Sequence, residues 1–113
     1  MPARLSTHVL DTADGCPAEG MQIELWFLEG PKRSLLKTVR TNAEGRTDLP
    51  LLGGEDLRTG QYELIFFVGD YFARNPAERF LDHVPVRVNL VAGESYHVPL
   101  LCSPWSYATY RGS

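Results

Sequence analysis

Residues 21–29, MQIELWFLE, carry the most regular pattern in this chain. Apolar side chains occupy every second position of the segment: Met21, Ile23, Leu25 and Phe27. A period of two predicts a β-strand, with one face in a core and the other face outside it. Gly30 and Pro31 follow directly and end the strand, because neither residue suits the interior of a sheet.

The same alternation recurs along the chain and predicts an all-β domain. Further strands are expected at residues 5–11, 34–41, 60–68, 84–88, 96–102 and 105–110. Turn residues separate these segments about every 8 to 12 positions, which is typical of a β-sandwich of about seven or eight strands. One helix is expected at residues 70–74, with Asp70 as its cap and Pro76 as its stop.

Length and charge narrow the function classes. The 113 residues are expected to form one domain, residues 1–113, with a net charge of −3 and a pI of about 5.5. No basic face stands out, so neither nucleic acid nor a membrane is expected as a partner. Because the first residues lack the apolar stretch of a signal peptide, a cytoplasmic location is the expectation.

The two cysteines, Cys16 and Cys102, do not form a disulfide framework. Two free thiols are the prediction, and a single bridge between them stays open. Strand parity places Cys102 in the core row, away from His97, which argues against a nucleophilic thiol. No pair of histidines has the spacing of a metal site, and no metal is expected.

Strand parity places two histidines off the core. In the segment 5–11, His8 falls on the parity opposite to Leu5 and Val9. In the segment 96–102, His97 falls opposite to the apolar row that includes Val98. Two histidines on outer sheet faces, with small residues nearby, are consistent with a groove or a subunit interface.

Residues 95–113, SYHVPLLCSPWSYATYRGS, close the sequence with an aromatic strand and the tetrapeptide 110–113. Chain ends are usually polar and frayed. An end rich in aromatic residues, with a cation, indicates part of a site. Arg46 is a second cationic candidate, because it follows the tight turn 41–45, in which Gly45 is free to adopt a positive φ.

Four segments resemble the transthyretin-like 5-hydroxyisourate hydrolases. They are LSTHVLDT at 5–12 with GCPA at 15–18, NAEGRT at 42–47, YHVPLL at 96–101 and YRGS at 110–113. The resemblance implies a transthyretin-like sandwich of two four-stranded sheets with one short helix. It also implies a homotetramer, a dimer of dimers, whose outer sheet faces meet across a channel that holds the active sites.

The resemblance also implies the site. The family's catalytic residues carry over to His8, Arg46 and His97, with Ser113 close by. These four residues would also bind the substrate, and Tyr110 and Arg111 would shape the pocket floor. No cofactor is implied. The chain departs from the family pattern at Ser95, where a histidine is usual, and at Cys102 and residues 105–106.

The implied reaction is hydrolytic opening of the cyclic amide of a small molecule, 5-hydroxyisourate, in urate degradation. A histidine would activate water, since its pKa lies near 6.5, and an arginine would stabilise the oxyanion. Which histidine is the base stays open, with a preference for His97 supported by Ser113. A non-enzymatic transthyretin-type carrier of a flat hydrophobic ligand is the alternative, and a structural β-sandwich is a third possibility.

Overall fold

The computed structural model describes residues 2–113, and its strands form two sheets that enclose the core. The first sheet contains β1 (Arg4–Asp11), β2 (Cys16–Pro17), β5 (Leu52–Gly53), β8 (Tyr96–Cys102) and β9 (Tyr107–Thr109). The second sheet contains β3 (Gln22–Glu29), β4 (Lys32–Arg40), β6 (Gly60–Phe66) and β7 (Val84–Leu90). The predicted all-β sandwich is confirmed.

The strand orders are β2-β1-β8-β9 and β4-β3-β6-β7, and β5 pairs with β1. All pairs are antiparallel except β1 and β8, which run parallel. β4 lies at an edge, which agrees with its mixed polarity. Pro85 lies in β7, also an edge strand, where a residue without an N–H is tolerated.

The core follows the predicted parity. β1 alternates between buried and half-buried positions along its length, and so does most of β3. The largest fully buried side chains come from both sheets and from the segments that join them, and they include Leu5, Met21, Ile23, Leu25, Leu51, Leu57, Tyr62, Leu64, Phe66, Phe72 and Leu100. Burying one such side chain contributes about 1.5 to 3 kcal/mol, so this core holds the two sheets together.

The single α-helix is confirmed, but its predicted bounds were wrong. α1 spans Val68–Tyr71, and Phe67 precedes it without a side-chain capping bond. Asp70 lies inside the helix and not before it, and its carboxylate pairs with Arg79 at 2.7 Å. Pro76 does not stop the helix; it begins a separate 3₁₀ turn over Pro76–Arg79, and a second 3₁₀ turn spans Gly54–Asp56.

The last strand is shorter than the predicted range, residues 105–110. Ser103 and Ser106 close a turn through a backbone hydrogen bond of 2.9 Å, and Trp105 is exposed within that turn. Only Tyr107–Thr109 therefore pairs with β8. Beyond this strand, a single bridge joins Gly112 to His97.

The parallel pairing of β1 with β8 positions the candidate site. Ser6 lies opposite His97, and His8 lies opposite Pro99. Paired residues on neighbouring strands project to the same face of a sheet, so both histidines lie on the outer face of the first sheet. Thr7 and Val9, the neighbours of His8 in β1, point into the core.

Among residues 2–113, no helix is long and apolar enough to cross a membrane.

Candidate active site

The His97 ring is fixed on both edges. Ser6 Oγ lies 2.9 Å from Nδ1. On the opposite edge, the Gly112 N–H donates to the His97 carbonyl oxygen at 2.7 Å, which brings the glycine against the ring. A methyl group at Gly112 would lie 2.7 Å from His97 Cδ2. With Nδ1 and Cδ2 occupied in this way, Nε2 is the ring nitrogen left free to react.

We expect Gly112→Ala to lower kcat by up to about 10²-fold, because small displacements of reacting groups carry large rate costs. The backbone of Gly112 does not have a positive φ, so alanine can adopt it, and the effect comes from contact with His97. Gly53→Ala is the matched control, since a methyl group there meets no atom within 4 Å. Steady-state kinetics and thermal unfolding of both variants check this. Equal kcat values for the two variants would contradict the packing role of Gly112.

His8 is held by a carbonyl group. Its Nε2 lies 2.9 Å from the Glu44 carbonyl oxygen. A carbonyl oxygen only accepts hydrogen bonds, so Nε2 of His8 carries a proton. In the neutral form of His8, Nδ1 is therefore the unprotonated nitrogen.

The turn that precedes Arg46 is built by Asn42. The Asn42 side-chain oxygen accepts hydrogen bonds from the backbone N–H groups of Glu44 at 2.9 Å and Arg46 at 3.1 Å. Gly45 has φ +76°, and its carbonyl oxygen accepts from Val9 N–H at 2.8 Å. A side chain at Gly45 would collide with the Val9 carbonyl oxygen, so only glycine allows this docking on β1. The turn thereby places Arg46 beside the outer face that carries the histidines.

A cavity of about 470 Å³ lies on this outer face. Its lining comprises Pro2, Arg4, Ser6, Arg46, Ser95, Tyr96, His97 and Ser113. The structure thus brings together three of the predicted catalytic residues: Arg46, His97 and Ser113. His8 shares the face but is not part of the lining.

The charges around this cavity favour a neutral His97. Burial lowers the pKa of His97 below its usual value, and the positive charge of Arg46 and the neighbouring His8 lower it further. Within residues 2–113, neither Arg4 nor Arg46 forms an ion pair with an acidic side chain. The cavity therefore combines a neutral imidazole with two guanidinium groups, a pairing that suits an anionic or strongly polarised ligand.

The sequence model of the HIUase/Transthyretin family matches residues 5–112. The chain belongs to this family. A "5-hydroxyisourate hydrolase" of Mesorhizobium japonicum is 54% identical over 114 residues, which cover 97% of this chain and 92% of the relative. The family match therefore covers nearly the whole sandwich and includes Ser6, Arg46 and His97 of the cavity.

Solved structures of family members share the fold. A 5-hydroxyisourate hydrolase from Klebsiella pneumoniae superposes with a TM-score of 0.82 and 34% identity, covering 98% of this chain and 94% of that one. An (S)-allantoin synthase gives a TM-score of 0.90 and 44% identity over 99% of this chain, but this match spans only 44% of the synthase chain. Sea bream transthyretin in complex with thyroxine gives 0.88 at 22% identity, covering 97% of this chain and 95% of that one. At that identity, the likeness to transthyretin shows the fold alone.

Two residues expected in this pocket line a different groove. Tyr110 and Arg111 border a groove of about 620 Å³ beside β7, and the Arg111 guanidinium stacks 4.3 Å from the Tyr96 ring centroid. In the single chain neither residue lines the His97 cavity, and their place in the pocket floor stays a prediction. For Arg111 the cause is strand alternation, because the bridge between Gly112 and His97 puts Arg111 on the opposite face.

Five cavity residues were not among the predicted site residues: Pro2, Arg4, Ser6, Ser95 and Tyr96. Ser6 had the same parity as His8, which was a usable signal. The parallel pairing that sets Ser6 opposite His97 joins positions 91 residues apart, and parity cannot reveal it. Ser95 is brought to the cavity by Arg4, whose N–H donates to the Ser95 hydroxyl oxygen at 3.2 Å.

The cysteines lie outside this cavity, and both are free thiols. Burial and the neighbouring Asp11 raise the pKa of the Cys102 thiol to about 12. A thiol with so high a pKa is not a nucleophile at neutral pH, which agrees with its predicted core position. Among residues 2–113, no cluster of three His, Cys, Asp or Glu side chains is placed to hold a metal ion.

Proposed function

We propose that this protein is an enzyme, a 5-hydroxyisourate hydrolase, and that the reaction takes place in the cavity beside His97 and Arg46. The observation that carries the proposal is the pairing, in one cavity, of a histidine with a lowered pKa and an arginine without an acidic partner among residues 2–113. The family and the 54% identity to a hydrolase of that name support the same activity.

The first half of the proposed reaction is attack by water on the ring carbonyl carbon. His97 Nε2 takes a proton from the water as the C–O bond forms. The carbonyl oxygen becomes negatively charged, and the Arg46 guanidinium donates hydrogen bonds to it. A positioned base contributes about 10²- to 10⁴-fold in rate, and an oxyanion donor contributes about 10²- to 10³-fold.

The second half breaks the ring C–N bond. The tetrahedral oxyanion reforms a carbonyl group, and protonated His97 returns its proton to the departing ring nitrogen. One water molecule is consumed, and the amide becomes a carboxylic acid and a ureido N–H group. The acid releases its proton to solvent at neutral pH, giving 2-oxo-4-hydroxy-4-carboxy-5-ureidoimidazoline as the carboxylate. The new carboxylate forms next to Arg46, where a guanidinium can hold it until release.

His8 and Ser113 have supporting roles in this proposal. The Nε2–H group of His8 donates to the backbone carbonyl oxygen of Glu44. His8 therefore orients groups on the outer face and contributes to the electrostatic field at His97. Ser113 lines the cavity with His97, where its polar atoms can bind the substrate or the attacking water. These assignments favour His97 as the base.

We expect kcat/KM to fall as the pH is lowered. The fall should begin below pH ~6.5, the usual pKa of histidine, and it forms the acid limb of the pH profile. The neutral imidazole is the active form, and its pKa is lowered by burial first and by Arg46 second. Activity is therefore lost only once the pH falls through that lowered value. In Arg46→Gln the limb should move to higher pH, because a positive charge is removed. A pH profile of both proteins measures this, and a limb that does not move would contradict the coupling.

We also propose that the protein forms a homotetramer, a dimer of dimers. The support is the open outer face of the first sheet, where half-buried Leu10 and Leu101 flank the histidines in a single chain. Covering this face with a second copy would exclude water from the cavity and strengthen its electrostatic interactions. Light scattering coupled to size exclusion measures the mass of the assembly.

The experiment that tests the function generates 5-hydroxyisourate from urate with urate oxidase and follows its ultraviolet decay. The expected result is decay that accelerates in proportion to the protein added. Decay at the spontaneous rate would contradict the hydrolase and favour the carrier. A carrier would instead bind a flat hydrophobic ligand such as thyroxine without consuming it.

A further inference from the structure

Ser6 is the side chain that contacts the Nδ1 edge of the candidate base. Its Oγ lies 2.9 Å from His97 Nδ1, and the contact is partly buried. The two residues are direct partners in the parallel pairing of β1 with β8, so the backbone of both strands fixes their separation. Among residues 2–113, Ser6 Oγ has no other hydrogen-bond partner.

This contact can be made in two ways, and they have opposite consequences. If the Ser6 hydroxyl donates to Nδ1, then Nε2 carries the proton and cannot act as a base. If Nδ1–H donates to the Ser6 oxygen, then Nε2 is unprotonated and faces the cavity. A serine hydroxyl can be donor or acceptor, so distance alone does not select between them.

The positive charge in the cavity favours the second arrangement. Arg46 lines the same cavity as His97, and after burial its charge is the next cause that lowers the pKa of His97. A nearby positive charge favours an unprotonated ring nitrogen over an N–H group on the ring edge that faces the cavity. The Gly112 contact on the Cδ2 edge hinders rotation of the ring away from this orientation.

We propose that Ser6 is a positioning residue for the hydrolysis. Its oxygen accepts the Nδ1 proton of His97 and thereby keeps Nε2 unprotonated and directed toward the cavity. This deepens the proposed function and rests on it, because the base it positions is the base of that reaction. The logic parallels a carboxylate that holds the tautomer of a catalytic histidine, with a neutral partner in place of a charged one.

The kinetic test compares Ser6→Ala with Ser6→Thr. We expect Ser6→Ala to lower kcat by about 10- to 100-fold, less than the loss of about 10⁴-fold that follows removal of a charged orienting group. KM should change little, since the hydroxyl acts on the histidine and not on the substrate. Threonine keeps the hydroxyl and should restore kcat. Ser34→Ala is the control, because Ser34 is a half-buried strand serine in the second sheet.

The spectroscopic test does not depend on the reaction. Long-range ¹H–¹⁵N spectra of the full protein, with His97 assigned by a His97→Asn variant, report which ring nitrogen carries the proton. We expect the Nδ1–H tautomer in the native protein and a shift toward Nε2–H in Ser6→Ala, because an unrestrained histidine prefers a proton on Nε2.

The outcomes distinguish a failure of the proposed hydrolase function from a failure of the positioning role of Ser6. A native protein that shows the Nδ1–H tautomer but does not consume 5-hydroxyisourate would contradict the function while retaining the Ser6 contact. A native Nε2–H tautomer would overturn the positioning role even if the enzyme is active. An unchanged kcat in Ser6→Ala would overturn it as well.

Discussion

His97→Asn is expected to lower kcat by about 10²- to 10⁴-fold, the range that a positioned general base contributes. Asparagine preserves polarity and fits the volume that the imidazole occupies between Ser6 and Gly112, so the fold should be retained. The loss should fall on kcat, because the proton transfer occurs only in the transition state. The urate oxidase assay measures the rate, and circular dichroism with thermal unfolding checks the fold.

His83→Asn is the matched control for this variant. His83 is exposed, and its ring lies 4.0 Å from that of Phe67 between centroids, outside the His97 cavity. Its replacement should leave kcat unchanged. If His97→Asn retained the native rate, the assignment of the base would be wrong, and His8 would become the candidate.

Arg46→Gln is expected to lower kcat by about 10²- to 10³-fold, as does the loss of an oxyanion donor in other hydrolytic enzymes. Glutamine can donate one hydrogen bond but carries no charge, so it cannot match a guanidinium against a developing oxyanion. Because Arg46 has no acidic partner among residues 2–113, its removal breaks no ion pair seen there, and thermal stability should change little.

Arg40→Gln is the control for Arg46, since Arg40 is an exposed arginine at the end of β4 that bonds to Gly20 and Gln22. Steady-state kinetics of the two variants separate the alternatives. A raised KM with an unchanged kcat in Arg46→Gln would mean that Arg46 binds the substrate equally well in the ground state and the transition state. In that case it is not the oxyanion donor.

Much of the fold was predictable because the sandwich is built from local alternation. The parity of Leu5 and Val9 predicted the core face of β1, and the opposite parity predicted the position of His8. The resemblance in turn predicted three residues of the cavity: Arg46, His97 and Ser113. These predictions needed only neighbouring residues or matched motifs.

Other features were not predictable because they depend on contacts between distant positions. The pairing of Ser6 with His97 joins strands from opposite ends of the chain. The bridge from Gly112 to His97 likewise determines that Arg111 faces away from the cavity, against the expectation from the resemblance. The predicted helix bounds were also wrong, since the helix begins at Val68 and Asp70 lies inside it.

Because the fold is shared with transthyretin, the function has to be inferred from the residues of the site. A sandwich of this shape is shared, at 22% identity, with sea bream transthyretin, whose structure was solved in complex with thyroxine. A shared fold does not imply a shared function. What supports hydrolysis in this chain is a neutral histidine, a nearby guanidinium and a glycine that packs against the ring.

We propose that the reaction takes place in the cavity lined by Arg46, His97 and Ser113. The most direct measurement is a crystal structure of the full protein soaked with xanthine, a planar purine dione that hydrolysis does not consume. We expect xanthine in this cavity, with a ring oxygen on the Arg46 guanidinium and His97 Nε2 facing the adjacent ring carbon. Xanthine bound instead in the groove of Tyr110 and Arg111, with the His97 cavity empty, would contradict it.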